Sequence, residues 1–296
     1  MRRYCSKKGG DELKLHTCFL CGGQEVRKIH RGVRGGGAID VLKCGQCGLV
    51  RLSETLDDVD EFYSSSGMRL NETTDLEKIR LVSRSDDERR FRYTERMIEG
   101  KSVIDFGCGD GGYLIRASRV ASSVVGIELE AAMRHALTEE GIRCLSSIQS
   151  AGQADVITLF HVLEHLEAPL SYLEEFRRHL TPGGMIIIEV PNADDALLSL
   201  YKCRAFADFT YWICHIYLYT LSTLRMLVEK ANYDVVFMRQ VQRYSLANHM
   251  YWLSKGEPGG HYKWAFLEDL EMDQTYGNML ARLGIADTII AGICPR

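Results

Sequence analysis

Ten residues, "VIDFGCGDGG" at positions 103–112, constrain what this chain can fold into more than any other segment. A short run of strand-forming residues, Ser102 to Phe106, leads into Gly107, Gly109 and Gly111, and helix-forming residues resume near Gly112. That order reads as strand, tight glycine turn and helix, the opening unit of an α/β sheet that binds a ligand at the carboxyl end of its first strand. Glycine lets backbone turn sharply and come close to that ligand. Taken alone, such a loop suits a dinucleotide, a phosphate or another adenosine-containing cofactor.

Two carboxylates narrow the choice. Asp105 stands at the strand end, where a negative charge suits a cationic amino-acid group better than a pyrophosphate. Glu128 closes a second strand, "SVVGIELE", about 20 residues further on, where a carboxylate can accept both hydroxyls of a ribose. Together they fit S-adenosylmethionine better than a nicotinamide dinucleotide.

The 296 residues are 46% apolar, enough for one large domain and a small module. A net charge of -4 leaves no general footprint for nucleic acid, although the first ten residues, "MRRYCSKKGG", are basic. No apolar signal core follows them, and the most apolar run, "YWICHIYLYTLSTL", is interrupted by His215, Thr220 and Ser222, so no membrane span and a cytoplasmic location are expected.

Ten cysteines are too dilute for a disulfide scaffold in a chain of this length, but four form two C-x-x-C pairs: Cys18 and Cys21, Cys44 and Cys47. Each pair is followed at once by glycine, which lets two thiolates turn inward onto one tetrahedral ion. Between the pairs, "EVRKIHRG" and "AIDVLKC" alternate like strands. This pattern predicts a zinc ribbon whose four ligands close the site, so that the metal stabilises the fold rather than reacting. His16 and His30 flank it and read as surface residues.

The expected organisation is a ribbon over 1–55, a linker and lid over 56–100, and a sheet domain over 101–296 with insertions near 192–221 and 246–280. Within the linker, "SETLDDVDEFYSSSGM" is polar and acidic around Phe62 and Tyr63, and a helix is expected over "DDERRFRYTERMI", Asp86 to Ile98. The first insertion is rich in aromatics, among them Tyr201, Phe206, Phe209, Tyr211, Trp212, Tyr217 and Tyr219, and is expected to line an acceptor site. Thr220 or Ser222 can cap the helix that follows it, and Arg243, Asn248, His249 and Trp252 offer polar and stacking groups further on.

The stretch "HVLEH", His161 to His165, matches the H-x-x-E-H pattern of inverted zinc proteases, but it follows the buried strand "DVITLF" and so emerges at a sheet's carboxyl end. The segments "VIDFGCGDGG", "GIELE", "ADVITLFHVLEHLEAP" and "LTPGGMIIIEVPN" succeed one another as they do in class I S-adenosylmethionine-dependent methyltransferases, which the chain resembles from about Lys101 to its end. The resemblance implies a Rossmann-like seven-stranded sheet of order 3-2-1-4-5-7-6. It places Gly107 and Gly109 beneath the methionine portion, Asp105 ordering the loop, Glu128 on the ribose, and Phe160 and His161 beside the cofactor, with His165 touching the acceptor.

A second resemblance joins the ribbon, Tyr63 and "HIYLYT" from His215: the chain is similar to zinc-ribbon-bearing sugar C-methyltransferases, with Cys214 where that family usually has glutamate. It implies that Tyr63 closes over the cofactor, that His215 is the general base, and that the acceptor is a small molecule, a sugar or sugar nucleotide. The residues themselves do not choose between C- and O-methylation, because a histidine base serves both. Methylation of another small acceptor at oxygen or nitrogen, RNA methylation with the ribbon as reader, and a non-catalytic scaffold are the competing readings.

Overall fold

The computed structural model describes residues 17–55 and 76–296. Tyr63, its lid and His16 lie outside the described residues. Two sheets organise the rest. The larger has seven strands: β4 (Ser102–Phe106), β5 (Ser123–Ile127), β6 (Cys144–Leu145), β7 (Ala154–Phe160), β8 (Leu180–Pro191), β10 (Tyr233–Val241) and β11 (Thr288–Pro295), in the order β10-β11-β8-β7-β4-β5-β6. Numbered from β4 as the first strand of the sheet, this is the expected order 3-2-1-4-5-7-6. The smaller sheet runs β1 (Val26–Val33), β2 (Gly37–Cys44), β3 (Val50–Leu52), β9 (Tyr217–Leu218).

The residues segregate into two compact units. One gathers the described residues before position 56 with Leu163–Ala168 and Glu189–Ala291, and the other gathers 76–162 with Pro169–Ile188 and Gly292–Arg296.

In the second unit, β4 runs parallel to both β5 and β7, so that Asp105 lies opposite Gly126 on one side and Thr158 on the other. Val103, Ile104, Val125, Val156, Ile157 and Leu159 are buried, as expected for parallel strands covered on both faces. The amino-terminal ends are tied by Asp155, whose carboxylate accepts the Ser102 N–H at 2.9 Å and hydroxyl at 2.8 Å and the Thr181 hydroxyl at 2.7 Å. These bonds hold its pKa below the usual aspartate value. Phe106 packs edge-on against Phe176 of helix Pro169–Arg178, with ring centroids 4.9 Å apart. Helix Leu76–Ile98 begins ten residues or more before the expected start at Asp86: Leu76 and Ile79 pack against Cys108, Leu114, Met133 and Leu137, while Leu81 and Val82, 70% and 66% exposed, obscure that face in the sequence.

In the first unit, β1 and β2 form the antiparallel hairpin that alternation predicts between the cysteine pairs. The sheet then gains a strand that sequence did not indicate, as β3 pairs with β9 through Val50↔Leu218 and Arg51↔Tyr217. His30, expected at the surface, has a side chain only 7% exposed, 2.9 Å from the Asp208 carboxylate and against the Tyr211 ring. Asn248, His249 and Trp252 are also buried: His249 Nδ1 lies 2.8 Å from the Tyr276 hydroxyl, and Trp252 packs between Phe206 and Phe209. They build the wall of this unit rather than a face open to a sugar.

Thr220 caps helix Leu221–Lys230. Its hydroxyl accepts the Thr223 N–H while the Thr223 hydroxyl accepts the Thr220 N–H, a reciprocal capping box. Thr220→Ala is expected to lower stability by about 1 kcal/mol, seen as a lower urea midpoint at unchanged slope; an unchanged midpoint would show that the cap carries no stability.

Candidate functional site

The glycine loop of the second unit is built by hooking backbone over the end of β5. Gly107 N–H and Cys108 N–H both donate to the Ile127 carbonyl, at 2.8 and 3.1 Å. This turn requires a left-handed backbone at Gly107 (φ 77°), where a Cβ would also meet Val162 at 2.5 Å. Among the described residues a Cβ at Gly109 (φ 53°) would meet nothing within 4 Å, so they leave space beside that backbone of the kind a ligand can use. Glu128 holds the loop from its other side: one carboxylate oxygen accepts Gly109 N–H at 3.0 Å and the other Glu130 N–H at 2.9 Å. Each oxygen keeps a further lone pair, so the same carboxylate can also accept ribose hydroxyls.

Asp105 sits beneath this loop, 3% exposed, and accepts the Thr158 hydroxyl at 2.6 Å. This bond ties Asp105 to the neighbouring strand β7. Burial pushes its carboxyl up to about 7. Phe160 is buried with its ring edge-on to Tyr113 at 4.7 Å and its face beneath the Arg90 guanidinium at 5.0 Å. His161 turns the chain with φ 57°.

Helix Leu76–Ile98 adds residues that the sequence reading left out. Ser83 donates its hydroxyl toward the carboxylates of Asp110 (2.7 Å) and Asp87 (3.1 Å), Arg80 donates to the Asp110 carbonyl at 2.7 Å, and a Cβ at Gly112 would run into the Asp87 carboxylate. Asp87 is lifted to about 6, first by burial and then by repulsion from Asp110, with Arg90 opposing. Three buried carboxyls thus surround one glycine turn. The sequence signal was the acidic "DD" at Asp86 and Asp87, which reads equally as an acidic helix start.

The first unit carries the other predicted groups. "HVLEH" does not form the long helix that a protease would need: only Leu163–His165 is helical, as a single 3-10 turn, and His161 lies outside it. Glu164 and His165 instead meet His215, with one ligating atom of each within 4.8 Å of the others. His165 Nδ1 lies 2.7 Å from the Cys214 carbonyl and His215 Nδ1 3.1 Å from the Thr210 carbonyl, and the two rings stand 5.0 Å apart. A carbonyl only accepts, so both Nδ1 atoms carry hydrogen, and whenever either ring is neutral its lone pair sits on Nε2.

At the ribbon, the sulfurs of Cys18 and Cys47 lie 3.6 Å apart, as do those of Cys21 and Cys44, and all four lie within 4.8 Å of one another. Four thiolates at about 2.3 Å from one zinc ion would stand about 3.8 Å apart, so the cluster fits a tetrahedral ion. The glycines after each pair, Gly22 and Gly48, take the left-handed turns that bring the sulfurs inward (φ 76° and 84°).

The raised pKa of Asp105 fixes a sign. Below the ordinary aspartate pKa of about 3.9 both folded and unfolded chains hold the proton; between about 3.9 and 7 the folded chain holds it more tightly, so stability falls as pH rises through that window. Asp105→Asn is expected to flatten this decline between pH 5 and 7, leaving the share due to Asp87, Asp195 and Asp287, whose carboxyls burial also raises; an identical slope in urea unfolding would show that Asp105 is not a group responsible.

Comparison with known proteins agrees with the geometry. The family model described as a methyltransferase domain matches residues 83–237, just over half of the chain. A ubiquinone biosynthesis O-methyltransferase of Haemophilus ducreyi (strain 35000HP / ATCC 700724) is 32% identical over 123 residues, 35% of this chain and 52% of the relative. Another, from Pseudomonas aeruginosa (strain LESB58), is 36% identical over 109 residues, 32% of this chain and 46% of the relative. The chain thus spans about half the length of the curated relatives it matches. Among solved structures, magnesium protoporphyrin IX methyltransferase from Synechocystis PCC 6803, with S-adenosylhomocysteine bound, aligns at a TM-score of 0.50 and 13% identity over 80% of this chain and 97% of that one, a likeness of fold. The chain belongs to the methyltransferase-domain family and has the class I, S-adenosylmethionine-dependent fold.

Proposed function

We propose that the chain transfers the methyl group of S-adenosylmethionine to a small polar acceptor, a sugar or sugar nucleotide, with zinc held structurally by Cys18, Cys21, Cys44 and Cys47. The observation that carries the activation step is the histidine pair: two imidazoles whose Nδ1 hydrogens are committed to backbone carbonyls and whose Nε2 lone pairs can take an acceptor proton. S-adenosylmethionine supplies an electrophilic methyl on sulfonium. The residues supply the rest: Gly107 and Gly109 lie beneath the methionine portion, Glu128 takes the ribose, and Asp105 answers the positive charge. His215 is the base, with His165 beside it orienting the acceptor. Phe160, His161 and Tyr63 complete the cofactor side in this reading.

Support for the sugar is the zinc-ribbon resemblance, together with the way the ribbon is built into the unit that carries the histidines: β3 pairs with β9, and Lys230 donates to the carbonyls of Phe19 and Leu20 at 2.7 and 3.0 Å. A second reading, methylation of a hydroxyl on an aromatic small molecule, is favoured by the O-methyltransferase relatives, whose likeness spans about a third of the chain.

Two experiments follow. Zinc-loaded protein would be given S-adenosylmethionine with a 13C methyl and a panel of keto sugars, hydroxy sugar nucleotides and aromatic hydroxy compounds, and the product read by NMR. A C-methyl signal from a ketosugar, lost by 10²-fold or more in His215→Asn, is expected; an O-methyl signal on an aromatic would replace the sugar reading, and full activity in the variant would remove His215 as base. Separately, stripping the ribbon ion with a chelator at low pH, or Cys44→Ser, is expected to release one zinc per chain by elemental analysis and to lower the melting temperature. Retention of stability without zinc would overturn its structural role.

A further inference from the structure

The histidine pair has a third member that the base reading does not use. Glu164 is fully buried, its carboxylate 3.9 Å from His165 Nε2, and one ligating atom each from Glu164, His165 and His215 falls within 4.8 Å of the others. We infer that these three side chains form a second metal site, distinct from the four-cysteine ribbon, that takes a divalent transition-metal ion through two imidazoles and one carboxylate.

Three features of the geometry carry this. First, the tautomers are set for ligation. A metal-bound histidine normally donates its other ring N–H to a carbonyl or carboxylate, which fixes the ring and raises the basicity of the ligating nitrogen. His165 does this to the Cys214 carbonyl at 2.7 Å, and His215 does it to the Thr210 carbonyl at 3.1 Å. Second, the spacing is close to that of a coordination shell. Ligands at about 2.1 Å from one ion stand at most about 4.2 Å apart, so rotations that move side-chain tips by less than an ångström would close the set. Third, Glu164 has no surface in water, so its carboxylate would attract a cation with little screening by solvent, while Trp212 packs against both imidazoles at 6.1 and 5.4 Å and holds the rings in place.

The donor set selects the ion. Two imidazoles and one carboxylate suit zinc, cobalt, iron(II) or manganese, and three protein ligands leave positions open, unlike the ribbon, where four thiolates fill the shell. The "HVLEH" stretch therefore supplies two metal ligands, Glu164 and His165, but the third comes from His215 and not from His161. A cation with open positions would hold the carbonyl oxygen of a keto sugar and lower the pKa of the adjacent C–H, so the proton leaves to solvent before the carbon forms its bond to methyl and the sulfonium C–S bond breaks. That catalytic use rests on the acceptor reading above and makes His215 a ligand in place of a base, because an Nε2 lone pair given to the ion cannot take a proton; binding of the ion rests on neither.

The test reads binding without turnover. Full-length protein with its ribbon already loaded with zinc would be titrated with cobalt(II), followed by visible absorption and by metal analysis after gel filtration. One additional cobalt per chain is expected, with the weak bands of a nitrogen and oxygen site and none of the intense sulfur-to-metal absorption that a ribbon cobalt would give. Glu164→Gln and His165→Ala should each abolish saturable uptake while leaving the ribbon zinc at one per chain. Should either variant fail to fold by circular dichroism, His215→Asn gives the same reading from a separate segment. No uptake by the parent protein, or uptake unchanged in the folded variants, would overturn the site and leave the base assignment of His215 standing. Loss of the base role in the methyl-transfer assay with cobalt uptake intact would do the reverse.

Discussion

The register of three parallel strands is the constraint on which the second unit depends. Once β4 lies between β5 and β7, Asp105 must stand at the carboxyl end of the ladder, opposite Gly126 and Thr158. Gly126 is required there because a Cβ would meet the Cys108 sulfur at 2.6 Å, and Thr158 is required because a buried carboxyl needs a donor. The turn that follows has one way to satisfy its backbone, over the Ile127 carbonyl, and Glu128 then receives Gly109. The cost is a carboxyl held away from water and lifted toward neutrality. A cationic ligand near Asp105 would offset that cost, which is a physical reason for the loop to favour a positively charged cofactor over a pyrophosphate.

Local signals made this part of the molecule legible. Strand, glycine turn, helix and second strand follow one another within thirty residues, and their periodicity survives because parallel strands bury both faces. The cysteine pairs were legible for the same reason, since two short spacings and their glycines encode the turns directly. Helix Leu76–Ile98 was only half legible: its first ten residues mix charge with exposed Leu81 and Val82, which hides the short apolar pair Leu76 and Ile79. What fixes that end is this pair packing against Cys108, Leu114, Met133 and Leu137, with Arg80 and Ser83 reaching the loop around Asp110, contacts about thirty residues away in sequence.

The first unit was read less well because its contacts are longer in range. Nothing in "HVLEH" says that Glu164 and His165 will meet a histidine some fifty residues later, nor that a two-residue strand, Tyr217–Leu218, will join the ribbon sheet. Asn248, His249 and Trp252 looked like groups for a sugar because their types suit one. Their burial among Tyr276, Phe206 and Phe209 shows how often polar and aromatic types serve packing instead. Residue type proposes chemistry, but only a partner's position assigns it.

That β9 contact gives the ribbon a bearing on chemistry even though a closed four-cysteine site performs none. β3 starts three residues after Cys47, and its Leu52 N–H donates to the Ile216 carbonyl at 3.1 Å, next in sequence to His215. Two residues further along, the Val50↔Leu218 and Arg51↔Tyr217 pairs continue the ladder. On the other side of the histidine, Arg34 bridges to Trp212 by backbone pairing and lays its guanidinium over the Trp212 and Phe209 rings at 4.7 and 4.4 Å. The segment bearing His215 is therefore held on both flanks by the ribbon hairpin and its following strand. An ion that rigidifies the four sulfurs would rigidify the mount of His215, and the orientation of an activating group can matter as much as its pKa.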